Sequence, residues 1–271
     1  MDSKINDLKV SDASKKVYLS VFKRMVKYGF DITKKLKMKD ILKLLSNVDK
    51  PSSKLEFINL IIVIGNPDEK ILKELKELRT ELNKERLSKN IETMNNLGEK
   101  LMSYDSFKTI LDKMYEDKKY IDYILNYLML TFGLRNLDLN LFVCHKKCKE
   151  IDPKINYLIL NGSKVRYLRN VYKTVKTYGP QEHIIKDEKL IESLKNIQAG
   201  YILNQNTTIG NELKKRLILS EAQAFKMIID HYYDLKDTAK INELSKSRGT
   251  SIETIKSFYN VNAKQEIIRE V

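Results

Sequence analysis

The sequence predicts a mainly α fold carrying a small antiparallel β-sheet, and three observations lead there. Apolar residues recur at three- and four-residue spacing through most of the chain up to Phe132 and again after Glu188. Between Arg135 and Ile185 that spacing gives way to short β-branched and aromatic runs, with Asn161-Gly162 as a hairpin turn signal. A polar stretch from Ser88 to Ser103 lacks strong periodicity until Leu97, so the 271 residues are expected to divide into domains 1–87 and 88–271.

The elements follow in order. Ser11 or Asp12 caps a helix reaching about Tyr28, since Val17, Val21, Phe22, Met25 and Val26 share a face and Gly29 stops it. Lys39 to Leu45 reads as a short helix. Another, capped by Ser52 or Ser53, reaches Ile64 before Gly65-Asn66-Pro67 ends it. A charged helix from Asp68 to about Leu87 carries Ile71, Leu72, Leu75, Leu78 and Leu82 on one stripe. Asp105–Tyr115 and Lys119–Phe132 read as two more helices. Strands are expected at Leu139–Cys144, Tyr157–Leu160, Val165–Val171 and His183–Ile185. Helices return at Glu188–Gln198, Ser220–Tyr233, Thr238–Ser245 and Ile252–Asn260.

Charge narrows the function. Fifty Lys+Arg against 36 Asp+Glu give +14, and a pI near 9.4 implies a polyanionic partner, with duplex DNA ahead of an anionic membrane. Phe57 to Ile64, the longest apolar stretch, is too short to span a bilayer. Met1-Asp2-Ser3-Lys4 lacks a secretory pattern, so an intracellular place is expected, in cytoplasm or nucleus, or in a virion or viral factory if the Lys/Ile/Asn-rich composition reflects a DNA virus or mobile element. Two cysteines fit a reducing compartment. Cys144-His145-Lys146-Lys147-Cys148 is half of a zinc pattern, but His183 and His231 stand in no ligand-spaced cluster, so no metal is expected. There is no P-loop or Gly-rich dinucleotide fingerprint, so no nucleotide cofactor is expected either.

Two residues suggest chemistry. Leu130-Thr131-Phe132-Gly133-Leu134-Arg135-Asn136-Leu137-Asp138 puts an arginine just after an apolar helix. Arg248-Gly249-Thr250-Ser251-Ile252-Glu253-Thr254 leads to Tyr259 at the far end of a short helix. A buried arginine needs an anion, and in a basic chain a phosphodiester can supply it. The plainer alternative pairs Arg135 with Asp138 and leaves Tyr259 in the core. Lys15, Lys16, Lys23, Arg24 and Lys27 share one helix face and are candidate DNA contacts, as are Lys176 and Lys256, the latter flanking Tyr259 together with Lys264. Tyr232 and Tyr233 compete as nucleophiles but stand among acidic neighbours.

Taken in order, these parts resemble the tyrosine recombinase family, which includes phage-type integrases and shares a catalytic fold with type IB topoisomerases. The resemblance implies a helical core-binding domain followed by a catalytic domain that cleaves and rejoins DNA through a 3′-phosphotyrosyl intermediate. Arg135 with Asp138 looks like the first-arginine motif, Lys173 in Tyr172-Lys173-Thr174 like the hairpin lysine and general acid, and Tyr259 like the nucleophile. The chain departs from the family where His-x-x-Arg is usual, offering Gln223-Ala224-Phe225-Lys226, and near the usual Gly-His, offering Arg248-Gly249. Lys226 and Arg248 are therefore expected as substitute phosphate donors, with Arg216 a less well-placed second arginine. Assembly as a homo-oligomer on DNA is a further implication, with the tail through Ile267 and Ile268 either docking on a neighbouring subunit or packing on its own. The alternative is a catalytically degenerate DNA-binding or genome-packaging protein of the same fold. A cytoplasmic scaffold is the third reading.

Overall fold

A computed structural model describes residues 2–98, 101–146, 148 and 150–259. The chain divides into two compact units, Met1–Thr93 and Met94–Val271. Among the described residues the fold is mainly helical with a single five-stranded sheet.

The first unit begins with α1 (Asp2–Asn6) and α2 (Asp12–Lys27), whose N-cap Ser11 accepts from the Ser14 amide and so satisfies an orphan donor. α3 spans Met38–Ser46 and α4 Pro51–Ile64. The expected serine cap of α4 gives way to Pro51, which opens the helix because its fixed φ suits the first turn and its missing amide costs no bond there. α5 runs Glu69–Gly98, well past the expected end near Leu87. The anticipated boundary at 87/88 thus falls inside a helix, which continues through Ser88, Asn90, Thr93, Asn95 and Asn96 in spite of their low helix propensity. Val21, Met25, Ile41, Leu44, Phe57, Ile58, Ile61, Ile71 and Leu75 form this unit's core.

In the second unit, α6 (Tyr104–Glu116) and α7 (Tyr120–Phe132) precede a 3-10 turn, Asn136–Leu139. Strands β1 (Leu141–His145), β2 (Asn156–Asn161), β3 (Lys164–Arg169), β4 (Gln181–Ile185) and β5 (Gly200–Tyr201) stand in the order β4-β3-β2-β1-β5. The sheet is mixed rather than antiparallel. β1 pairs in parallel with β2, Leu141 opposite Asn156, a pairing that a tight hairpin cannot make. The other three pairings are antiparallel, with β2 and β3 joined through the expected Asn161-Gly162 turn. α8 (Val175–Tyr178) interrupts the third and fourth strands, and α9 is Glu188–Lys195. α10 (Ile209–Arg216) was not anticipated. α11 (Glu221–Asp234), α12 (Thr238–Arg248) and α13 (Ile252–Phe258) follow.

Leu158, Leu160, Val165 and Tyr167 face the main core with α7, α9 and α11, while Tyr157, Ile159 and Leu168 form a smaller cluster with Cys144 on the other face. Cys144 is joined to Cys148 by a disulfide, their Cα atoms 5.7 Å apart, where the sequence reading expected a reduced pair. Among the described residues no helix is long and apolar enough to cross a membrane. Asn260, Lys264, Ile267, Ile268 and Lys147 lie outside the described residues.

Candidate active site in the C-terminal unit

The site begins where α7 stops. Gly133 closes the helix in the left-handed region at φ 60°, and a Cβ there would meet the Phe225 ring at 2.8 Å. Glycine therefore lets α11 seat its aromatic ring on the turn. Two residues on, the half-buried Arg135 enters the 3-10 turn, its amide donating to Asp138 Oδ2 at 2.8 Å. The guanidinium itself bonds elsewhere. Its Nη1 donates to the Arg248 carbonyl and its Nη2 to Thr250 Oγ1 at 3.0 Å.

The alternative in which Arg135 and Asp138 form a side-chain ion pair is thus corrected. Asp138 pairs with Arg169 at 2.6 Å, and both side chains are fully buried. Arg169 Nη1 also donates to the Ser247 carbonyl and to Gln181 Oε1, and its guanidinium stacks 4.2 Å from the Tyr172 ring centroid. The sequence reading passed over Arg169. Strand alternation could have found it, since Val165, Tyr167 and Arg169 fall on one face and the first two are core residues.

Arg248 is buried at the end of α12. Nη1 donates to the carbonyls of Gly133 (2.7 Å) and Leu134 (3.1 Å), and Nη2 pairs with Glu221 Oε1 at 2.8 Å. Its guanidinium lies 4.1 Å from the Phe225 centroid and 5.9 Å from that of Tyr259. Glu221 Oε2 accepts from the Asn136 amide at 2.9 Å, tying α11 to the turn after Arg135. The donors of Arg248 are largely spent on protein groups, so the expected free phosphate donor is here a brace.

Tyr259, half-buried at the end of α13, packs edge-on against Phe225 with centroids 4.8 Å apart. Lys226 is fully buried; its Nζ pairs with Asp230 at 2.6 Å and donates to the Tyr259 carbonyl at 3.3 Å. Burial and this ion pair commit the ammonium that was expected to meet phosphate, and it holds the backbone of the tyrosine. Arg216 joins Asp122 at 2.8 Å, away from this cluster. Tyr232 places its hydroxyl 3.4 Å from that of Tyr104, and Tyr233 lines an apolar cavity of about 510 Å³ with Ile229, Ile241, Ile252, Ile255 and Lys256.

Lys173 is exposed in the segment after β3, and Lys176 is exposed on α8. Lys256 is exposed on α13. In the first unit Lys16, Lys23, Arg24 and Lys27 line one shallow groove of about 500 Å³. Arg24 is partly neutralised there by Glu56, and Lys15 turns instead to the Asn6 carbonyl at 2.6 Å.

The electrostatics of the cluster are unbalanced. Arg135, Arg169 and Arg248 meet the carboxylates of Asp138 and Glu221, one cation more than anions. Among the described residues no carboxylate forms an ion pair with the Arg135 guanidinium. Burial, and then the neighbouring charge of Arg248, push its pKa down. A partly buried cation in this state is stabilised by an incoming anion, and its planar fork suits two phosphoryl oxygens. Comparisons of the chain with protein-family models, curated proteins and solved structures gave no match.

Proposed function

We propose that this protein binds duplex DNA and that its C-terminal unit cleaves and rejoins one strand at a time through Tyr259. The observation that carries this reading is Arg135, a half-buried guanidinium that forms no ion pair with a carboxylate among the described residues and is bonded to the turn that leads into the tyrosine-bearing helix. The phenol oxygen of Tyr259 attacks phosphorus and loses its proton to solvent while the bond to the 5′ oxygen breaks. That oxygen takes a proton from the Lys173 ammonium. Arg135 neutralises the non-bridging oxygens as charge builds on them. The free 5′-hydroxyl reverses the steps, and the 3′-phosphotyrosyl bond conserves the energy needed to reseal.

Relative to the family pattern, Lys226 and Arg248 take holding roles: one fixes the backbone of the nucleophile, the other the turn that carries Arg135. Those same contacts favour a second reading, a DNA-binding or packaging protein that keeps the frame and has lost cleavage. Nicked suicide substrates from a random-sequence pool separate the two. A covalent adduct on a DNA 3′ end, abolished by Tyr259→Phe with duplex affinity kept within a few-fold, is the expected result. Tight binding with no adduct across the pool means the degenerate reading is right.

A further inference from the structure

Lys173 is flanked by two anchors that reach the same corner of the C-terminal unit. Before it, Tyr172 is buried, stacks on Arg169 and donates from its hydroxyl to the Gly179 carbonyl at 2.5 Å, while Arg169 itself is bonded to the Ser247 carbonyl. After it, Thr174 packs directly on Gly249. A Cβ added at Gly249 would stand 2.0 Å from Thr174 Oγ1 and 2.8 Å from its Cβ, distances no side chain tolerates. Gly249 also has φ 61°, which closes α12 and starts the turn to Thr250. Thr174 Oγ1 is buried and finds no hydrogen-bond partner among the described residues, so the contact is one of shape.

We propose that Gly249 is the seat of the Lys173 segment: the missing Cβ admits Thr174, and Tyr172 and Thr174 together hold the exposed Lys173 beside the turn that bears Arg248 and Thr250. Gly249 and Thr174 are then positioning residues for Lys173. Lys173 as the acid rests on the strand-transfer reading above; the seat itself does not. The coupling also makes one corner of the fold answer for two parts of the site, because the turn that receives Thr174 supplies both groups that bind the Arg135 guanidinium.

Two measurements on the full chain test this. The first is the rate at which trypsin cuts after Lys173, with the site mapped by mass spectrometry. Thr174→Ala and Gly249→Ala should raise that rate about tenfold by populating the undocked segment, whereas Thr174→Val, which keeps the volume and drops only an unpartnered hydroxyl, should stay within about twofold of wild type. Equal rates in all four proteins, or a Thr174→Val as fast as Thr174→Ala, overturn the seat. Thr174→Ala alone decides the matter if Gly249→Ala does not fold. The second compares adduct formation on ordinary DNA and on DNA with sulfur at the bridging 5′ position, whose thiolate leaves without a proton. Both loosened variants should be slowed about tenfold or more on ordinary DNA and restored to within a few-fold of wild type by sulfur, as Lys173→Ala should be. Slowing on both substrates means that the seat does not act through Lys173. A wild-type protein that forms no adduct with either substrate rejects strand transfer, and the trypsin measurement still decides the seat.

Discussion

Arg169→Ala should be among the most damaging single substitutions in the C-terminal unit, although nothing singles the residue out as a surface or motif position. The wild-type guanidinium is wholly buried, pairs with the equally buried Asp138 at 2.6 Å, and donates to Gln181 Oε1 and the Ser247 carbonyl. Truncation leaves the Asp138 carboxylate with the Arg135 amide as its remaining charge-stabilising donor and strips the Ser247 carbonyl of a partner. Removing one member of a buried ion pair costs about 3–5 kcal/mol, because the other charge remains desolvated. For a domain of this size, that lowers the melting temperature by roughly 6–20 °C. Asp138→Ala combined with Arg169→Ala should cost clearly less than the sum of the two single losses, since the double variant buries no unpaired charge; the coupling should be about 1–3 kcal/mol. Urea unfolding followed by circular dichroism measures all four corners of the cycle. A loss below about 1 kcal/mol for Arg169→Ala, or strict additivity, would refute the role given to the pair.

Gly133→Ala should cost about 2–4 kcal/mol, from the left-handed backbone and from the Phe225 ring 2.8 Å from the new Cβ; chemical denaturation that finds no loss would mean Phe225 moves away freely. His183 packs against the rings of Phe132 and Tyr167, and burial first, then the charge of Arg169, lower its pKa. The unfolded chain therefore takes up a proton near pH 6.5 that the folded chain refuses, so stability should fall as pH drops through that value, and melts of His183→Phe across pH 5–8 should show a shallower decline. Arg135→Met should weaken duplex binding and reduce the slope of log affinity against log salt by about one. Lys226→Met should leave both within about twofold, because an ammonium sealed against Asp230 and a carbonyl does not reach a phosphate; a reduced salt slope for Lys226→Met would restore it as a DNA contact.

Much of the helical frame was legible in the chain. The Ser11 cap, the Gly29 stop, the Asn161-Gly162 turn and the stripe at Ile71, Leu75 and Leu82 are local signals, and each stands where backbone and burial preferences put it. What the sequence determined by itself was therefore the kind of element at most places, and that Arg135, Lys226, Arg248 and Tyr259 belong to one unit. It could not say what those cations were bonded to. Whether Arg135 faces Asp138 or Thr250, whether Arg248 is free or spent on carbonyls, and whether Lys226 meets solvent or Asp230 depend on groups 33 to 115 residues away or on burial by other elements. The parallel pairing of β1 with β2 belongs to the same class, since strand direction is fixed by how the connecting segment packs and not by the strands' own residues. Local propensity is a short-range quantity, whereas the partner of a buried charge is chosen by the whole fold, because desolvation makes every alternative partner or lack of one costly.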